Sequence, residues 1–252
     1  MGLAHSPRIV TDGLVLALDA GNTKSYPGSG STWTDLSSRN HNGTLTSGPG
    51  FSSDNGGSIS IDGNQETRGI TLPSVSTIMG DGTGDWTIEF WYMTPSFTVS
   101  PGESTTIPLI SNINWYNSAN GSFWITVKNN RAIKGVFNHD SSNSNNFEVE
   151  STTTISTNIW YHFAFVKQGD TIRLYVNGIQ EDTVAVSDLS SSGFYAGGNT
   201  LAIGRWQAYQ SNSPTTSRYG IGNFSSVRIY KDKGLTASEV EQNYNALKGR
   251  YA

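Results

Sequence analysis

Apolar and polar residues alternate with a period of two along most of this chain, and turn residues punctuate the runs. That is the pattern of half-buried β-strands. Leu14 to Leu18 is the first run, and Ser58 to Asp62 places Ile59 and Ile61 on one face. Trp86 to Met93 is aromatic on both faces, which predicts a central strand. Further runs fall at 107–111, 123–128 and 132–137. The clearest block spans Ile159 to Val186. It holds a run from Ile159 to Lys167, a turn at Gln168-Gly169-Asp170, and a run from Thr171 to Val176 with Ile172, Leu174 and Val176 on one side. Asn177-Gly178 then predicts a type I′ hairpin turn, because both central positions need positive φ. The chain returns through Ile179 to Val186, and runs at 200–204 and 224–230 complete the set.

Only one segment has helical spacing. Val240, Tyr244, Leu247 and Tyr251 form one apolar stripe. Thr236 is placed to cap it, with Glu239 three residues on completing a capping box, and Gly249 is read as the stop. Many short strands and one terminal helix predict an all-β fold: a two-sheet antiparallel jelly-roll sandwich with a short C-terminal helix. No internal repeat or linker divides the chain. It reads as an N-terminal arm at 1–10 and a single domain at 11–252, opened by the turn Thr11-Asp12-Gly13. Leu3, Ile9 and Val10 suit an arm that docks on a neighbouring copy; a frayed terminus is the plainer alternative.

Composition narrows the classes. The 252 residues are 35% hydrophobic and 14% charged, so Gly, Ser, Thr and Asn fill many polar positions. Aromatics at 11%, with seven Trp, set the chain apart from disordered sequences and supply a core. No run approaches the about 18 apolar residues of a membrane span. Met1 to Arg8 lacks the apolar stretch of a secretory signal, so the chain is read as made in a cytosol, without membrane insertion. A net charge of −4 speaks against nucleic acid, where a basic face is expected. The absence of Cys excludes disulfides, thiolate metal sites and Cys nucleophiles.

Trp160-Tyr161-His162-Phe163-Ala164-Phe165-Val166, followed by Leu174-Tyr175-Val176-Asn177-Gly178, resembles the laminin-G-like members of the concanavalin A-like lectin/glucanase superfamily. So do Ile221 to Tyr230 with Leu235 to Val240 behind, and Trp86 to Trp91 is similar to that family's early core strand. A narrower resemblance lies in Ile9 to Asn22, in Trp33-Thr34-Asp35-Leu36-Ser37, in Asn42-Gly43-Thr44-Leu45 and in Asn245 to Tyr251. These are similar to laminin-G-like proteins carried by tailed bacteriophages. The resemblance implies a concanavalin A-like fold and a virion structural protein, either a capsid decoration or an adhesion component. Such a protein is synthesised in the host cytoplasm and exposed on the virion surface. Its implied partners are other virion proteins of capsid or tail, copies of itself, and host or environmental glycans.

Glucanases of this superfamily carry carboxylates on alternate residues of one strand. A retaining mechanism needs the two carboxyl groups about 5–5.5 Å apart, and i, i+2 spacing on a strand supplies that. Glu148-Val149-Glu150 is the nearest run; it lacks a third carboxylate and reads as a solvated strand edge. Glu89, in the aromatic strand, reads as a hydrogen-bonded structural residue, and His162 as a packed, satisfied histidine. His5, His41 and His139 show no ligand spacing, Gly-x-Ser-x-Gly is absent, and Gly80 to Gly84 reads as a turn. No catalytic residue is assigned and the chain is read as non-enzymatic. The alternatives are a glycan-active depolymerase or glucanase, and a tail receptor-binding lectin domain. No cofactor is required. Many laminin-G-like domains bind one Ca²⁺ at a loop rim, for which Asp19 and Asp62 stand out by position alone, and no ligand residue is assigned.

Sugar recognition needs loop aromatics to stack on the pyranose face, with polar partners beside them. Two segments carry both. One holds Trp115 and Tyr116 within 112–117, and the other holds Arg205, Trp206 and Tyr209 at the start of a long polar stretch running to Tyr219. These five residues are the candidate ligand-binding set, for a weak glycan site. Trp33 reads instead as a lid on the core.

Overall fold

The computed structural model describes residues 7–63, 68–97, 106–112, 122–138, 146–186, 200–206 and 220–251. The first strands in chain order are β1 (Leu14–Asp19), β2 (Thr32–Trp33), β3 (Gly43–Thr46), β4 (Gly50–Ser52), β5 (Ser58–Asp62) and β6 (Gly69–Ser74). A single-turn helix α1 (Val75–Met79) precedes β7 (Trp86–Met93), β8 (Ile107–Ser111), β9 (Phe123–Val127), β10 (Ala132–Asn138) and β11 (Asn146–Thr154). Then follow β12 (Tyr161–Gln168), β13 (Thr171–Val176), β14 (Ile179–Ala185), β15 (Thr200–Ile203), β16 (Ile221–Lys231) and the helix α2 (Ala237–Leu247).

Every pairing among the described residues is antiparallel. The first sheet runs β14-β13-β12-β7-β16-β5-β4, with β1 also on β16, and the second runs β11-β10-β9-β8-β15-β6-β3-β2. This is the expected sandwich. Its core lies between the sheets, where Trp86, Ile88, Phe90 and Tyr92 of β7 meet Phe123 and Phe137 of the second sheet. Phe90 sits among Phe163, Phe165 and Phe224, at ring separations of 5.6, 6.4 and 6.3 Å. Trp33 is fully buried in the same core.

The alternate residues of β7 explain its two-sided aromatic pattern. Thr87, Glu89 and Trp91 point away from the sandwich core, yet all three are buried. A second apolar layer covers that outer face: Ala164, Val166, Tyr175, Tyr230, Leu235 and Val240, with Val10 and Leu14 against them. The helix α2 supplies the cover. Thr236 Oγ1 accepts from the Glu239 N–H at 3.3 Å, and the Thr236 N–H donates to Glu239 Oε2 at 2.8 Å, so the capping box forms as read. Thr236→Ala is expected to lower stability by about 1 kcal/mol, read as a thermal midpoint about 2–4 °C lower.

Some local features differ from the sequence reading. The segments β2, β3 and β4 are too short to show a period, and β6 contains Gly69 and Pro73, which interrupt the pattern. The five-residue α1 lies below the length at which helical spacing can be read. Gly249 does not end α2; a 3₁₀ turn at Lys248–Arg250 does, and Gly249 lies inside it. Asn177 and Gly178 do form the expected turn, at φ +51° and +84°. The polar strand β11 is the edge of the second sheet. Its Glu150 and Thr153 N–H groups donate to Asp182 and Glu181 of β14 at 2.8 and 2.9 Å. Carboxylates from one sheet thus occupy the edge donors of the other, which blunts the edge against pairing with another chain. Among the described residues no helix is long and apolar enough to cross a membrane.

Candidate functional site

The outer face of the second sheet is the side away from the core. In β9 the residues Phe123, Ile125 and Val127 face the core, so Trp124 and Thr126 face outward. Register then carries a row across the sheet from Trp124 to Ser111, Ala202, Thr71 and Thr44. Cross-strand partners share a face, so this row of small side chains forms a floor beside the indole of Trp124.

The chain is sent across that floor by Gly204. Its φ is +70°, and a Cβ there would fall 1.9 Å from Ile61 Cδ1, so only glycine fits. The Gly220 N–H donates to Gly204 O at 3.0 Å and closes the base of the connection. Beyond Gly204, Ser111 Oγ donates to the carbonyl of Arg205 at 3.2 Å. The ring of Trp206 reaches Trp124, with centroids 6.1 Å apart and planes tilted by 45°. Both indoles are half-buried. The base of the 112–122 hairpin connection is one residue from Ser111 and Trp124, with Phe123 N–H donating to Asn112 Oδ1 at 2.6 Å. The roots of the two segments singled out in the sequence therefore meet on one face.

The side chain of Arg205 crosses Gly69, where a Cβ would approach its Cγ and Cδ at 2.9 and 2.8 Å. Its terminal nitrogen Nη2 donates to Thr71 Oγ1 at 2.6 Å, and Thr71 lies 3.3 Å from Thr46 Oγ1. Arg205 is 9% exposed, and its Nε–H is buried without a hydrogen-bond partner. Burial pushes its pKa down. Among the described residues no carboxylate forms an ion pair with it.

Of the five candidate residues, Arg205 and Trp206 are thus brought together. Trp115, Tyr116 and Tyr209 lie outside the described residues, as do His5 and His139. Two participants went unnoticed in the sequence. Trp124 was legible, since strand alternation places it opposite Phe123 and Ile125. Thr71 was not, because its strand was hidden by Gly69 and Pro73.

The carboxylates sit elsewhere and are committed. Glu148 and Glu150 are paired with Lys134 and Lys128, each at 2.7 Å. Partial burial pushes the Glu150 carboxyl up, but hydrogen bonds from Lys128 and Asn130 outweigh it and hold the group below the usual range. A general acid needs the opposite shift. Asp19 takes both terminal nitrogens of Arg250 at 2.7 and 2.8 Å, and Asp62 pairs with Arg68. Neither is an open cation ligand. Among the described residues no group of three or more metal-ligating side chains occurs. His41 Nδ1 lies 2.9 Å from the carbonyl of Val15.

Glu89 is fully buried under α2. It accepts from Arg228 Nη1 at 3.1 Å and from Asn243 Nδ2 at 3.1 Å on each oxygen. Burial pushes its carboxyl up; His162 beside it, the Arg228 guanidinium and the Asn243 amide outweigh that and keep it below the usual carboxylate range. It is a hydrogen-bonded structural residue, as read. His162 is packed against Trp91 and Tyr244 at ring separations of 5.4 and 6.0 Å. The expectation that it is satisfied needs correction. Neither ring nitrogen has a hydrogen bond, and Nε2 stops 3.5 Å from Glu89 Oε2. With every member buried, no substrate reaches this cluster.

A search of curated protein sequences finds no match. Among solved structures the chain is similar to the binding domain of Paraclostridial Mosquitocidal Protein 1, with TM-score 0.70 and 18% identity over 94% of this chain and 52% of that one. It is similar to the binding domain of botulinum neurotoxin DC, solved in complex with rat synaptotagmin II, with TM-score 0.69 and 13% identity over 94% and 52%. It is also similar to botulinum neurotoxin type C, which depends on interaction with two ganglioside molecules to enter cells, with TM-score 0.69 and 14% identity over 94% and 52%. The chain spans about half the length of these proteins, and identities this low carry the fold alone. The family model described as the concanavalin A-like lectin/glucanases superfamily, in a laminin G form, matches residues 62–241. That is more than half of the chain, which therefore belongs to the laminin-G-like family of the concanavalin A-like lectin/glucanase superfamily.

Proposed function

We propose that this chain is a non-enzymatic binding domain on the surface of a bacteriophage virion, and that it holds a glycan at the corner made by Trp124, Trp206 and Arg205. The observation that carries the binding reading is the pairing of two half-buried, tilted indoles with a buried guanidinium on the outer face of the second sheet. Tilted aromatic walls give a sugar ring large apolar contact at little entropic cost, while polar groups set its orientation. Carboxylates already committed to lysines and arginines support the non-enzymatic reading. The similar toxin domains are binding domains too, which favours recognition over catalysis. A single weak site suffices when a particle presents many copies.

The virion reading rests on the opening and closing segments that resemble phage proteins. The opening and closing parts of the described chain are physically joined. The Val10 N–H donates to Asn243 Oδ1 at 2.8 Å, Gln242 donates to the carbonyl of Arg8 at 2.6 Å, and Arg250 grips Asp19. We take residues 11–252 as one domain with the arm ahead of it, and other virion proteins of capsid or tail as its partners. Mass spectrometry of purified particles should find the chain in stoichiometric amounts. Particles that lack it would remove the virion reading. A glycan array with the purified chain tests the binding reading, and silence across the array would leave a purely structural decoration module.

A further inference from the structure

We infer that the glycan held at this corner is acidic, and that Arg205 receives its carboxylate. The inference rests on the glycan reading above and goes further, to the charge of the ligand. Burying a guanidinium is costly unless an anion compensates it. Two other arginines, Arg228 and Arg250, have that anion. Arg228, at 3% exposed, has Glu89 at 3.1 Å, and Arg250 has Asp19 at 2.7 Å. Arg205 is 9% exposed and has a neutral hydroxyl, Thr71, as its partner, with Nε–H left over. Among the described residues no carboxylate stands within ion-pair distance of it.

The guanidinium is also held in place. Gly69 gives its stem a close seat, and Thr71 fixes one terminal nitrogen. A fixed fork with an unused N–H suits a planar carboxylate, which accepts two parallel N–H bonds. The neighbouring residue is Trp206, which faces Trp124, so a sugar ring resting on the indoles can extend a carboxylate toward the fork. A neutral sugar would leave the cation buried with no anion among the described residues, and that is how a site built around a charge rejects the uncharged analogue. The net charge of −4 means that the rest of the chain does not draw in polyanions unselectively.

The test is binding of the intact chain to sialyllactose and to a galacturonic-acid oligomer, each against its neutral counterpart, by calorimetry. One or both acidic sugars should bind at least about tenfold more tightly than the neutral one, with affinity falling as salt rises. Arg205→Gln should remove that preference, so that acidic and neutral sugars bind the variant alike; Arg205→Lys, which keeps charge without the fork, should keep part of it. Melting curves show whether each variant is folded, and the wild-type comparison stands without them. Equal affinity for acidic and neutral sugars would overturn this inference and leave the glycan reading intact. A preference that survives Arg205→Gln in a folded protein would also overturn it, by placing the carboxylate elsewhere. Failure of every sugar to bind would remove both.

Discussion

Glu89→Ala is expected to cost about 3–5 kcal/mol of stability, a large part of what a domain of this size holds. The loss does not come from one contact. Glu89 accepts from Arg228 and twice from Asn243, and Asn243 in turn donates to Tyr230 Oη at 2.9 Å and accepts from the Val10 N–H. Tyr230 Oη donates to the carbonyl of Val10 at 3.0 Å. Removing the carboxylate leaves Arg228 buried without its anion and loosens α2 and residues 8–10 together. Chemical denaturation at neutral pH measures the drop. A loss below about 1 kcal/mol would mean that water or a rearranged Arg228 compensates.

The same group sets a pH dependence. Its folded-state pKa lies below the ordinary value of 4.5, so the unfolded chain binds the proton first as pH falls. The stability it contributes is complete above about 4.5 and is lost as pH drops through the lower folded value. Glu89→Gln keeps the shape and removes the titration. The difference between the wild-type and Glu89→Gln stability curves should therefore be flat above pH 5 and shrink below about 4. A difference that grows on acidification would have the wrong sign.

Trp206→Ala is expected to weaken glycan binding by about 2 kcal/mol, roughly thirtyfold, and Trp124→Ala by a similar amount. Each removes one wall of the same corner, so the double variant should lose less than the sum of the two. Thr236→Ala is the matched control. It sits at the cap of α2, on the outer face of the other sheet, and should lower the melting temperature without changing affinity. Affinity unchanged in both Trp variants would exclude this corner as the site.

The two regions differ in how far the sequence could be read. The alternation in β7, β12 and β13 is visible because each strand has one face in the sandwich core. The aromatic residues on both faces of β7 were visible too, and they implied a central strand. The capping box of α2 was legible because it is local, with Thr236 and Glu239 three residues apart. In β11 the pattern faded, since an edge strand with polar residues on its open side has little apolar contrast.

The candidate corner was legible as residue types: Arg205, Trp206 and the aromatic segment after β8. Its assembly was not. Arg205 and Thr71 are 134 positions apart, and Glu89 and Asn243 are 154 apart. No spacing rule links them. The turn at Gly204 that sends Arg205 across the sheet depends on Ile61, which leaves no room for a side chain there.

By itself the sequence determined the fold class, the central strand, the hairpin at Asn177-Gly178, the capped terminal helix and the absence of a paired-acid run. All of these follow from periodicity and from contacts a few residues long. Only the tertiary structure decided that Glu89 joins a closed buried network while Arg205 stays without a carboxylate among the described residues. The reason is physical: desolvation and ion pairing depend on which distant residues share a face, and strand register, not local sequence, brings them together.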